Sequence, residues 1–296
     1  MKRVTLADLK KASKIAAKAL NLAKKLVRPE VSLLEVAEKI EGLIIEEGGK
    51  PAFPVNISIN DIAAHYTPSI DDKSAFKEGD VVKIDIGVHI NGWIIDTAIT
   101  IDLGDHKGLI KASKEALENA LKVIKKGVEL WAIGDVIERT IKKYNLNPIY
   151  NLSGHQIEQY NLHAGLTIPN FNNKSKIKLE EGLYAIEPFA TNGIGYVKDG
   201  NPSGILKIMD LKAPRDRIAR KIYDYIIKEY KTLPFAKRWL YKIFPKNQVD
   251  YAINLMKKLD ILYEYPILVE KSGGLVSQHE KTVLISDRVY VFPEED

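Results

Sequence analysis

A chain of 296 residues, 45% hydrophobic and 28% charged, has room for one large domain or two ordinary ones and buries a core without covalent staples. It has no cysteine, which excludes disulfides, thiolate zinc sites, iron–sulfur clusters and cysteine nucleophiles. Any metal site must therefore use carboxylates and imidazoles, and there are only six histidines, His65, His89, His106, His155, His163 and His279. The formal net charge is +5, no apolar run reaches the ~20 residues of a membrane span, and the N-terminal MKRVTLADLKKASK lacks the apolar stretch of a secretory signal.

Residues 5–27 read as an amphipathic helix, with Leu6, Leu9, Ile15, Ala19, Leu22 and Leu26 at helical spacing, lysines on the other face, Thr5 as N-cap and Pro29 as the stop. Ser32 with Glu35 forms a capping box that opens a second helix, ending at Gly48-Gly49. PAFPVNISIND reads as a loop and a short strand, and AAHYTPSIDD as loop. VVKIDIGVHINGWIIDTAITIDL alternates and is broken once by Asn91-Gly92, the strongest short hairpin signal. Helices are expected over about 108–126 and 134–144, followed by the β-like segments NLSGHQI, NLHAGLTI, LYAIEPFAT and GIGYVKDG. The order helix, helix, β is thus used twice, the mark of a pseudo-symmetric α+β domain. Residues 209–262 interrupt it with helical sequence punctuated by Pro214, Pro234 and Pro245, before PILVE and KTVLIS return to strand.

The hairpin places two acids together. With Asn91 and Gly92 as the loop, Asp85 faces Ala98 and Asp96 faces Gly87, so Asp85 and Asp96 share a sheet face as diagonal neighbours, their Cα atoms about 7–8 Å apart. Val82, Ile84, Ile86, Ile95, Ile99 and Ile101 occupy the other face. Two buried carboxylates without a cation repel and lose hydration, so apolar flanks favour a metal site over a solvated surface hairpin. The remaining candidates each have a bland alternative. His155 and His163 sit in β-like sequence where a histidine is usually a satisfied core residue; Glu187 and Glu280 stand at strand ends where a glutamate is usually exposed. His279-Glu280 is not the H-E-x-x-H zinc motif, because position 283 is Val, and His89 and His106 read as surface residues. There is no G-x-S-x-G elbow, Walker A loop or G-x-G-x-x-G.

Taken together and in order, AFPVNISINDIAAHYTP, VVKIDIGVHINGWIIDTAIT, LSGHQIEQYNLHAG, IEPFATNG and QHEKTVLI resemble the type 2 methionine aminopeptidases, most of all the archaeal form. The resemblance spans nearly the whole chain, including the helical insert that separates type 2 from type 1. It implies the pseudo-twofold pita-bread fold, with a catalytic domain made of residues 1–208 and 263–296 and a helical, winged-helix-like insert over 209–262. It implies two divalent ions (Co, Mn, Fe or Zn) held by Asp85, Asp96, His155, Glu187 and Glu280. Asp96 and Glu280 would bridge both ions, one of which also holds the substrate's α-amine, and four carboxylates would balance two divalent cations. A hydroxide bridging the ions would be the nucleophile. Glu187 would shuttle the proton, His163 would donate to the scissile carbonyl, and His65 would contact the scissile amide nitrogen or the next residue's backbone. Phe53 and Leu162 would line the methionine slot, and the substrate's second residue would be small. Nascent chains as substrates, a monomeric state and a cytoplasmic location follow from the same resemblance. His279 receives no ligand role.

Two other readings compete. One is a prolidase-like peptidase with the same five ligands. The other is a pita-bread protein that binds RNA or ribosomes, for which residues 209–262 offer thirteen Lys or Arg against six Asp or Glu, interleaved with aromatics that read as the insert's own core.

Overall fold

The structure, a computed structural model, describes residues 4–294. Helix α1 (Leu6–Leu26) buries Leu9, Ala12, Ile15, Ala16, Ala19 and Ala23 on one face, and its small residues let it lie close on the sheet beneath. Thr5 stands at the N-cap position but its side chain makes no capping bond, so the expected cap is absent. Helix α2 (Leu33–Glu46) begins as expected at Ser32, whose Oγ accepts from the Glu35 amide at 3.5 Å.

The first sheet follows: β1 (Lys50–Pro51), β2 (Asn56–Ile59), β4 (Val81–Ile90) and β5 (Trp93–Asp102), with β3 (Ile62–Ala64) pairing elsewhere. β4 is its centre. The turn between β4 and β5 has positive φ at both Asn91 and Gly92, and it sets the register expected from the sequence: Ile90 opposite Trp93, Gly87 opposite Asp96 and Asp85 opposite Ala98. Val82, Ile84, Ile86 and Val88 therefore point at α1 and α2 and are fully buried, while Lys83, Asp85, Gly87 and His89 point the other way. That parity corrects the reading of His89 as a surface residue. It is only 6% exposed, accepts the Gly92 amide on Nδ1 at 3.1 Å and meets Tyr160 edge-on. His106 is half-buried, its Nδ1 2.9 Å from Asp102.

The second half repeats the plan. Helices α3 (Lys107–Val123) and α4 (Leu130–Lys142) cover strands β6 (Asn147–Pro148), β7 (Ser153–Ile157), β8 (Thr167–Pro169), β9 (Gly182–Ile186) and β10 (Phe189–Thr191), and β11 (Val197–Ile208) follows in a separate sheet. α4 starts earlier than its expected onset at 134, and of NLHAGLTI only the end is strand, leaving His163 in a loop. Helices α5 (Arg217–Glu229), α6 (Lys237–Tyr241) and α7 (Lys246–Lys258) then leave the sheet, with β12 (Phe235–Ala236) between the first two. They close on Ile222, Tyr223, Ile226, Phe235, Leu240, Ile253 and Met256, a separate core. The chain returns through β13 (Leu262–Glu270), β14 (Val276–Gln278), β15 (Lys281–Ile285) and β16 (Val289–Phe292). β3 pairs with β13, which corrects the loop expected there.

Each half thus has two helices on the outer face of a sheet, with one core under α1 and α2 and another under α3 and α4. Beside the β3–β13 pairing, the inner faces meet where Ala98 bridges Glu280 and where Thr100 Oγ1 both donates to the Gln278 carbonyl and accepts the Gln278 amide. Thr97 Oγ1 donates to the Glu280 carbonyl, and Thr282 Oγ1 both donates to the Asp96 carbonyl and accepts from the Asp96 amide. Among the described residues no helix is long and apolar enough to cross a membrane.

Candidate metal centre

Five elements aim acids and an imidazole at one point. Asp85 comes from β4, Asp96 from β5, His155 from β7, Glu187 from the turn after β9, and Glu280 from the residue before β15. Antiparallel pairing sets their heights. His155 faces Ala185 across β7 and β9, while Ile186, next to Glu187, faces Lys281, next to Glu280. Donor atoms of Asp96, His155 and Glu280 lie within 4.8 Å of one another. His155 Nε2 is 3.5 Å from Asp96 Oδ2 and 3.5 Å from Glu187 Oε1. Asp85 and Glu280 are both within hydrogen-bond reach of the Asp96 carboxylate.

Four enclosed carboxylates around one point are electrostatically costly. Burial, reinforced by Asp96, pushes Asp85 and Glu187 well above the usual carboxylate range. Glu280 rises for the same reasons, with Glu187 and Asp85 adding to the repulsion. Asp85 Oδ1, Asp96 Oδ1 and Glu280 Oε1 are buried with no hydrogen-bond partner. Carboxylate oxygens without donors, gathered around an imidazole Nε2, are what a divalent cation completes, so the residues present fit such an ion.

The cluster forms the end wall of a cavity of about 320 Å³, also lined by Phe53, His65, Leu162, His163 and Tyr265. All the site residues expected from the sequence are therefore brought together. His65 sits in the left-handed region at φ 66°. Its Nδ1 is 3.2 Å from the Pro266 carbonyl, which only accepts, so Nδ1 carries the proton and Nε2 is left as an acceptor. Burial pulls its pKa down to about 4. The His163 ring stands 4.4 Å from that of His155 and is open to the cavity. Desolvation, then His155, His65 and Lys207, hold its pKa well below the usual value, so it is a neutral hydrogen-bond donor at neutral pH. Phe53 lies flat on Gly87, where a Cβ would fall 2.3 Å from the ring.

Asn56 and Tyr265 also line the cavity and carry polar atoms that the sequence does not mark. Asn56 faces Asp85 across β2 and β4; its Nδ2 donates to the Pro54 carbonyl at 2.7 Å, and its buried Oδ1 has no partner. The buried Tyr265 hydroxyl also has none. Strand register reveals the first; nothing in the local sequence marks the second.

A metal-binding wall at the end of a peptide-sized cavity, between two pseudo-equivalent halves, defines a metallopeptidase. The sequence pattern of metallopeptidase family M24 matches residues 7–226, and the chain belongs to that family. A methionine aminopeptidase of Pyrococcus abyssi is 50% identical over 287 residues, covering 96% of this chain and 97% of that protein. One of Archaeoglobus fulgidus is 48% identical, covering 93% and 94%. Among solved structures, methionine aminopeptidase from Thermotoga maritima superimposes with a TM-score of 0.70 at 23% identity, each chain fully covered. A thermophilic Arx1 superimposes with a TM-score of 0.84 at 18% identity, covering 95% of this chain and 88% of that one. These two likenesses show the shared pita-bread fold.

Proposed function

We propose that this chain removes the N-terminal methionine from peptides and nascent proteins whose second residue is small, using two divalent ions held by Asp85, Asp96, His155, Glu187 and Glu280. The observation that carries the reading is the convergence of partnerless, buried carboxylate oxygens on one imidazole inside a peptide-sized cavity. Half-identity to named methionine aminopeptidases over nearly the whole chain supports the substrate. Bound divalent ions supply Lewis acidity and make a water molecule easier to deprotonate near neutral pH. Cellular supply selects among Co, Mn, Fe and Zn.

The chain's own groups do the rest. Glu187, whose Oε1 stands 3.5 Å from His155 Nε2 at the edge of the acid cluster, takes the attacking water's proton and returns it to the leaving amine. Neutral His163 donates to the scissile carbonyl oxygen as negative charge develops there. His65 Nε2, the free acceptor, takes the N–H of the scissile amide or of the next residue. Phe53 and Leu162 bound the slot for the methionine side chain. Metal content per chain, measured with turnover of Met-Ala-Ser and of Xaa-Pro dipeptides before and after chelation, tests this. Metal-dependent cleavage of Met-Ala-Ser is expected, and cleavage of Xaa-Pro alone contradicts it.

We further propose that residues 209–262 act as a subdomain contacting ribosomal RNA, in a monomer that works in the cytoplasm. Seven of its thirteen cations are tied into ion pairs, Arg238 inside the protein. Lys212, Arg215, Arg217, Lys221, Lys231 and Lys258 remain exposed to carry the contact. Salt-sensitive co-sedimentation with ribosomes is the test; absent or salt-insensitive binding argues against it.

A further inference from the structure

One side chain away from the cavity, across the ring of Tyr265, lies a cation that the chemistry above does not use. Lys207 lies on β11 two residues beyond Ile205, which lines the cavity, so the two share a sheet face. Its Nζ is 5.4 Å from the centroid of the Tyr265 ring and 5.9 Å from that of Tyr263. The Tyr265 ring is in turn 5.2 Å from His65 and 6.3 Å from His163. One aromatic ring therefore separates this ammonium from both histidines that flank the scissile bond.

Lys207 has no counter-ion. Among the described residues neither an ion pair nor a hydrogen bond holds it, and burial without compensation draws its pKa below the usual lysine value. Partly buried lysines on the neighbouring insert are paired, Lys237 with Asp250 and Lys257 with Glu264. A partly desolvated ammonium held over the ring of Tyr265, which lines the cavity, lacks only an anion.

We propose that Lys207 makes this enzyme prefer substrates with an acidic side chain at the second or third residue after the scissile bond. The proposal rests on the methionine aminopeptidase reading. The position follows from reach: the spans from His65 to Tyr265 and from Tyr265 to Lys207 total about 11 Å, so the ammonium lies at most about three residues of extended chain, at ~3.3–3.6 Å each, beyond His65.

The test uses the full chain loaded with Mn²⁺ or Co²⁺ and C-terminally amidated Met-Ala peptides, so that no terminal carboxylate competes. Glu, Gln or Lys is placed at the second or third residue after the scissile bond. The wild type is expected to favour Glu over Lys by about two- to fivefold in kcat/KM at low salt, mainly through KM, and to lose the preference in high salt. Lys207→Glu should reverse the order, and Lys207→Met, which keeps the stacked stem, should level it. An unbiased wild type, or the same order in Lys207→Glu, overturns the proposal while leaving the parent activity standing. Failure to cleave any of the peptides overturns both.

Discussion

Arg238 of α6 and Glu41 of α2, 197 residues apart in sequence, form an ion pair with side chains only 1% and 7% exposed. Arg238 also donates to Thr67 Oγ1 at 2.7 Å and to the Pro68 carbonyl at 3.1 Å. Glu41 accepts from Trp239 Nε1 at 2.8 Å and from the Val55 amide at 3.1 Å. The pair thus docks the insert helices on the segment just after His65. Removing one partner leaves a buried charge, so Arg238→Met or Glu41→Gln should lower unfolding free energy by about 3–5 kcal/mol, with Glu41→Leu/Arg238→Met recovering most of it. Denaturant titration checks this; single substitutions worth under about 1 kcal/mol would contradict an enclosed pair.

His163→Ala should lower kcat tenfold or more, because the lost donor acts on charge that develops only in the transition state. Metal content should stay as in the wild type, since the ring meets that of His155 edge-on without entering the acid cluster. Unchanged turnover would remove His163 from the mechanism.

The acid cluster makes the metal-free protein sensitive to pH. Asp85, Glu187 and Glu280 bind protons more tightly folded than unfolded, so their contribution to stability is present near pH 4 and is lost as pH rises through the raised values. Divalent ions displace those protons and remove the repulsion, so the gain in Tm from Mn²⁺ should widen as pH rises. A gain independent of pH between 5 and 8 would show that the cluster is not protonated without metal.

Gly87 is where Phe53 rests, and an added Cβ would collide with the ring at 2.3 Å. Gly87→Ala should therefore displace Phe53 from the methionine slot and lower kcat/KM for Met-Ala-Ser by about tenfold or more, chiefly through KM. Steady-state kinetics beside metal content separates this from damage to Asp96, which Gly87 faces.

Burial, with Lys50 and Lys231 nearby, pulls the pKa of His89 down to about 4. The unfolded chain takes up this proton near pH 6.5, so stability falls as pH drops from 6.5 toward 4, by up to about 3 kcal/mol. In His89→Asn, which still offers an oxygen to the Gly92 amide, that part of the acid sensitivity should vanish. Denaturation of both proteins at pH 7 and 4.5 reads the difference; equal losses would mean that His89 is not enclosed.

The hairpin was legible because two signals agreed, the Asn91-Gly92 turn and the period-2 alternation, and together they set which face holds Asp85 and Asp96. The same parity puts His89 on the inward face; only its nearness to the turn suggested exposure, since Tyr160, which covers it, is about seventy residues away. No local period joins His155, Glu187 and Glu280 to the hairpin, so only the order of five motifs, read as a family resemblance, united them. His163 was misplaced in a strand because NLHAGL is as apolar as one, although Gly165 at φ 110° breaks it. Tyr265 escaped notice because its role depends on β13 returning beside β3 after the insert.

Asp85 and Asp96 belong to the first half, His155, Glu187 and Glu280 to the second, and the Ala98–Glu280 bridge with the hydroxyls of Thr97, Thr100 and Thr282 joins the halves beside them. Neither half alone presents a complete coordination sphere. If the chain were cut in the connection at residues 103–106, each fragment would hold acids that repel, and high-affinity ion binding would return only on reassociation. Ion affinity is then a direct gauge of how well the halves are assembled, and amide exchange at Ala98 and Glu280 should slow in step with metal loading.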